Sequence, residues 1–266
     1  MTAAKKIATL PSYFGQSFFL RPPGRRNMKG KELILLFGLV STTSVIAQDM
    51  IGLSSIYSSS VFQQGVIGMG KPTLEAGQKI RTGSASQAEL DALEFDASSR
   101  VERATRQKLL DSLLSSSSDP KVQASLRQSI ESNAIWDSFD DVLGNFGYSS
   151  DNLADVTTAY YVMTWEVVND EDATLHPSGI RAAHQTIEAA MAARPELQSL
   201  SDAEKQEACE IMAYMATVAG AAKNELRDSG DTVRLAQLQD TVRQSVLKQG
   251  VDLRKLQLTD QGFVDK

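Results

Sequence analysis

The sequence predicts an all-α fold: a multi-helix bundle of about six helices behind a mostly irregular N-terminal segment. Three observations carry that prediction. Leu153, Val156, Tyr160, Met163 and Val167 advance by three and four residues in turn, which draws one face of a helix. Helix start and stop signals recur from residue 98 onward, with no strand–turn–helix alternation between them. Apolar residues form 42% of the 266-residue chain and charged residues 23%, enough apolar material for a core and too little charge for wholesale disorder.

The N-terminal fifth reads as an address label. Met28-Lys29-Gly30-Lys31 is a basic start, Leu33 to Val40 is a short apolar run, and Val45-Ile46-Ala47 is an A-x-A-like end with small residues where a signal peptidase needs them. This predicts a secretory signal peptide over residues 1–47, cleaved between Ala47 and Gln48, with Met28 as the expected translation start. The apolar run is shorter than the roughly 20 residues a membrane span needs. Arg25-Arg26 ahead of it also suggests a twin-arginine signal, but that motif is incomplete.

The whole chain carries a net charge of −6; the first 47 residues hold seven basic side chains and one acidic, so the exported remainder would carry −12. Such a chain has no basic stripe for nucleic acid and little attraction to anionic lipid. The lone Cys209 permits no internal disulfide, and its apolar neighbours mark it as a core residue. No cysteine follows the signal run, so a lipid anchor has no attachment point.

Residues 48–86 are rich in Ser, Gly and Gln, with neither helical nor strand period, and read as a flexible segment. The helical domain is expected over 87–266. Gln87 to Leu93 suggests a short helical turn. A helix follows at about 98–115, after the Asp96-Ala97-Ser98-Ser99 boundary. Asp119 and Pro120 supply an N-cap and a first-turn proline for the next helix, to about residue 132. Ala134 to Leu143 is a short helix that Gly144 and Gly147 end.

The helix at 151–168 is the most aromatic and most strongly periodic. Tyr161, Trp165 and Val168 widen its apolar stripe, so it should be covered by several neighbours. Pro177 opens a helix to about residue 194. Ser201 and Glu204 form a capping box for a long helix to about residue 228, whose small residues imply close packing. The last helix runs to about residue 249, with Gly250 just beyond it. Leu253, Leu256, Leu258 and Phe263 are expected to fold back onto the bundle.

Chemistry-bearing motifs are scarce. There is no nucleophile elbow, phosphate loop or dinucleotide fingerprint, and the acidic residues fail the EF-hand spacing. No catalytic residue, cofactor or metal site is assigned. His176 and His184 are eight apart rather than the four of a helical zinc pair. Glu204/Glu207 and Asp140/Asp141 read as solvated helix faces, and the Met residues at helical spacing as core filling. His176, beside the acidic Asp170-Glu171-Asp172 turn, His184, on an apolar stripe, and Trp165, in the aromatic helix, are the candidates for a ligand site. For each, the commoner reading is structural.

Asn152-Leu153-Ala154-Asp155 running into Thr158-Ala159-Tyr160-Tyr161, with the tail Leu256-Gln257-Leu258-Thr259-Asp260-Gln261-Gly262-Phe263, resembles a family of exported bacterial proteins known only as a domain of unknown function. The resemblance covers about residues 90–266 and implies a bacterial, exported, mainly helical domain. It brings no activity, substrate or site residue.

The function expected from the sequence is therefore a non-enzymatic, exported helical domain that binds another protein or a small ligand. The alternative is a hydrolase whose site is assembled from distant residues. Neither a nucleic-acid partner nor a stable membrane anchor is expected, and the sequence leaves the oligomeric state open.

Overall fold

A computed structural model describes residues 85–266 apart from residue 116. The expected signal peptide and residues 48–84 lie outside the described residues. The rest is a helical bundle closed by a small hairpin. In order come α1 (Gln87–Asp91), α2 (Ser99–Leu114), α3 (Pro120–Glu131), α4 (Ala134–Gly144), α5 (Leu153–Asn169), α6 (Pro177–Ala192), α7 (Pro195–Gln198), α8 (Asp202–Asp228), α9 (Thr232–Lys248), β1 (Leu256–Thr259) and β2 (Gly262–Asp265). Seven of these helices have eleven residues or more; α1 and α7 are single turns. No helix among the described residues is long and apolar enough to cross a membrane.

The caps follow the sequence signals. Ser98, Asp119 and Asn152 each accept a backbone N–H of the following first turn. Ser201 and Glu204 form the expected capping box. Pro120, Pro177 and Pro195 stand in first turns, where the missing N–H costs nothing.

At the centre, α5 lies along α8. α2 and α4 also pack on α8, α6 packs on α5, and α9 lies against both central helices. Every residue of α5 except Asn169 is buried. The sequence showed an apolar stripe; the structure encloses the whole circumference, including Thr157, Thr158 and Thr164. Their hydroxyls donate to the carbonyls one turn back, Leu153, Ala154 and Tyr160, so these three side chains leave no free donor inside the bundle. The facing surface of α8 is built from Ala208, Ala216, Ala219 and Ala222, all buried, and small side chains let the two backbones approach.

Side chains from α8 and α9 fasten the remaining segments. Gln206 on α8 pairs with both the N–H and the carbonyl of Ser98, and Lys205 donates to the Glu94 carbonyl. At the far end of α9, the Gln249 amide donates to the Tyr160 hydroxyl and accepts from that of Tyr161.

The tail does fold back, but as an antiparallel hairpin with Leu256 opposite Asp265 and Leu258 opposite Phe263. Its strands are four residues each, too short for period-two alternation to stand out in the sequence. The Trp165 indole N–H donates to the Leu256 carbonyl at 2.9 Å, and its ring packs on Phe263. Two glycines make the hairpin fit α6. A Cβ at Gly179 would collide with the Thr259 carbonyl, and Gly262, at φ +88°, lies against the backbone of Ala183.

Gly179→Ala should therefore push the hairpin off α6. We expect a loss of about 1–3 kcal/mol in urea unfolding, the usual cost of forcing extra volume into a packed contact. A red-shifted tryptophan emission should accompany it as Trp165 loses its cover; unchanged stability and emission would contradict the interlock.

Candidate functional site

A cleft of about 390 Å³ with convergent polar groups lies between α2, α4, the start of α5 and α8. Helix geometry sets its lining. Glu102 and Arg106 lie one turn apart on α2; Trp136, Asp137, Phe139 and Asp140 come from α4; Ser150 and Asp151 come from the turn before α5; Cys209 and Glu210 come from α8. Asn133, in the left-handed conformation at φ 57°, turns the chain sharply into α4.

Arg106 occupies the middle of one wall. Its guanidinium lies 3.9 Å from the centre of the Trp136 ring. It is paired with Glu102 at 2.9 Å and Glu210 at 3.4 Å, and donates to the Asn133 side-chain oxygen. Trp136 in turn donates to the Glu210 carbonyl at 3.3 Å. Among the described residues, the one cation lining the cleft is thus already engaged.

Among the described residues, Asp137, Asp140 and Asp151 have no cationic partner. Burial pushes the Asp140 carboxyl above its ordinary range, and the neighbouring charges of Asp137, Asp151 and Asp141 add to that, against a hydrogen bond from Ser150. Burial likewise pushes Glu210 up, with Arg106 pulling it back. Five carboxylates face one guanidinium. Cys209 lies in the wall with its thiol pushed well up by burial, so it stays protonated and is a poor nucleophile.

The residues singled out in the sequence lie elsewhere. Trp165 is fully buried and holds the hairpin. The His184 ring nitrogen Nε2 meets Asp155 Oδ1 at 2.5 Å, and its ring stacks on Tyr148 with centroids 4.5 Å apart. The second Asp155 oxygen accepts the Ser149 N–H at 2.8 Å. His184 is therefore a satisfied histidine that fastens the turn before α5 to α6. His176 precedes Pro177 at the start of α6 and makes no side-chain cap. In the acidic turn beside it, Asp170 is engaged by Lys223 and Arg227, and Asp172 by Thr174. The structure does not bring His176, His184 and Trp165 to one site. Among the described residues, no group of three or more His, Cys, Asp and Glu could hold a metal ion.

The family follows from the chain rather than from the cleft. Residues 67–265 match DUF6683, a family of unknown function. The protein belongs to that family. The match spans every helix described above and both strands, so the bundle and its hairpin are a DUF6683 domain. No curated protein and no solved structure matches the chain.

The cleft of this DUF6683 domain escaped sequence reading because its two halves, α2 and α8, lie about a hundred residues apart. The Glu102/Arg106 pair at one helical turn was its one local signal. Asp140 reads as a solvated helix face and is exposed, at the rim of the cleft.

Asp155 joins three elements, so Asp155→Ala should cost about 1–3 kcal/mol, the range for orphaning buried partners. Because its cost includes the loss of His184's partner, Asp155→Ala and His184→Ala should be non-additive by at least about 0.5 kcal/mol in a double-mutant cycle of urea unfolding. Strict additivity would dissolve the pair.

Proposed function

We propose that the protein is an exported, non-enzymatic binding domain whose cleft takes a cationic group of a small ligand or of a partner protein. The observation that supports it most is the imbalance in that cleft: among the described residues Asp137, Asp140 and Asp151 line it with no ion-pair partner, and its Trp136 ring already holds one guanidinium, that of Arg106, at 3.9 Å. Carboxylates and aromatic faces together suit an ammonium or guanidinium. Export is supported by the basic, apolar and small-residue sequence of residues 28–47. The alternative, a hydrolase, draws on Asp155 and His184. Among the described residues no serine or cysteine side chain reaches His184 to serve as its nucleophile.

Two measurements test this reading. Expressed in a bacterial host, the protein should appear in the exported fraction with Gln48 as its first residue by intact mass; a cytoplasmic, uncleaved product would count against export. Calorimetric titration with spermidine and with a triarginine peptide should show binding that weakens with salt. Asp137→Asn with Asp140→Asn should lower the affinity at least about tenfold, the loss of one charge-assisted bond. A cation favours the ionised form of Asp140, whose proton affinity is raised, so binding should weaken as pH falls through the range where Asp140 takes up its proton. Absence of binding by both probes, or binding that ignores the double substitution, would refute the assignment of the cleft.

A further inference from the structure

A second feature goes beyond the cleft and lies about 15 Å from it along α5, at 1.5 Å per residue. Glu166 sits in the last turn of α5 with no solvent exposure. Its Oε1 accepts the Ala173 N–H at 2.7 Å, while Oε2 is buried with no hydrogen-bond partner. The nearest buried cation, Lys223, does not pair with this carboxyl. Its ammonium donates instead to the main-chain carbonyls of Glu166 at 2.9 Å and Glu171 at 3.3 Å, and approaches Asp170 at 3.6 Å.

The turn 170–176 is thus held from two sides. Lys223 and Arg227 on α8 grip Asp170 and its neighbours, and Glu166 on α5 grips Ala173. An ionised carboxylate is disfavoured here for two physical reasons: one oxygen would be charged, buried and unsolvated, and the C-terminal end of α5 carries the negative pole of its dipole. Burial accordingly pushes the Glu166 carboxyl up to about 8, against the Ala173 hydrogen bond and the charges of Lys223 and Arg227, with Asp172 adding to the rise.

We propose that Glu166 is a proton-operated latch: its protonated carboxyl keeps the turn 170–176 closed against α8, and loss of the proton releases that turn. Release would withdraw Asp170 from the rim of an open hollow of about 450 Å³, which it lines with Leu235 and Lys266.

The sign follows from linkage. Glu166 binds its proton more tightly in the closed turn than in an open, solvated one. Opening therefore releases a proton, and the open fraction rises with pH from the ordinary carboxylate range up to about 8. Within that window the rise is about tenfold per pH unit. Lys223 works in the opposite direction, because burial lowers its proton affinity in the closed state. Its opening takes up a proton, on the alkaline side.

The test is amide hydrogen exchange of Ala173 and His176 from pH 5 to 7, corrected for the exchange of an unstructured chain, with the Glu166 carboxyl followed by carbon NMR in the same sample. We expect the carboxyl to titrate well above the ordinary range, and Ala173 protection to fall about tenfold per pH unit. Glu166→Gln should flatten that dependence, whereas Glu171→Gln, an exposed carboxylate on the same turn, should leave it intact. A Glu166 carboxyl that titrates in the ordinary range, or Ala173 protection that stays level across the window, overturns the latch. Both readings come from the unmutated protein, so a variant that fails to fold does not blunt them.

Discussion

The complete enclosure of α5 is the constraint on which the rest of this structure depends. Sixteen of its seventeen residues are buried. No single partner can cover a helix on all sides. α8 covers the face where small residues permit a close approach, α6 and the hairpin cover a second, and α9 a third. The hairpin is part of that cover: it supplies both the acceptor for the Trp165 N–H and, through Phe263, the apolar surface over its ring.

Burial of both ends of α5 raises a second requirement. A helix leaves four N–H groups and four carbonyls unsatisfied, and water cannot reach them here. At the N-terminus, Asn152 caps two N–H groups, and the Leu153 N–H donates to the Leu93 carbonyl. The segment 93–95 is thereby joined to the core as a short bridge rather than as a helix. At the C-terminus, Lys223 reaches across from α8 to the Glu166 carbonyl, and Asn169 donates to the carbonyls of Trp165 and Leu253. A buried ammonium at the negative pole of a helix is favourably placed. This explains how Lys223 is tolerated at zero exposure with no carboxylate in direct contact closer than Asp170.

Helix existence and helix ends were legible in the sequence because they are local. The three-and-four stepping of Leu153 to Val167, the Ser201–Glu204 box and the Asp119-Pro120 pair each act within one or two turns. The structure reproduces them within about two residues, the scatter expected of helix ends. What the sequence did not disclose depends on contacts between distant segments. Nothing near residue 166 announces that Lys223 lies beside it. The hairpin strands are shorter than the period that would reveal them. Glu210 looks like a surface carboxylate until α2, with Arg106, closes over it. His184 stands on an apolar stripe in the sequence, and its partner Asp155, on the neighbouring helix, is 29 residues away.

The order of pairing within the cleft bears on how it could recognise anything. Arg106 is fixed by Trp136, Glu102, Glu210 and Asn133 before any ligand arrives, so its charge is spent inside the wall. An entering cation would meet the three aspartates that remain, carried by α4 and by the turn that Asp155 and His184 fasten to α6. That turn is anchored through α5, whose position the whole bundle determines. Were a cation to bind there, the fixed backbone of α4 and of that turn would limit the conformational freedom lost, and preorganisation of this kind raises affinity without adding contacts.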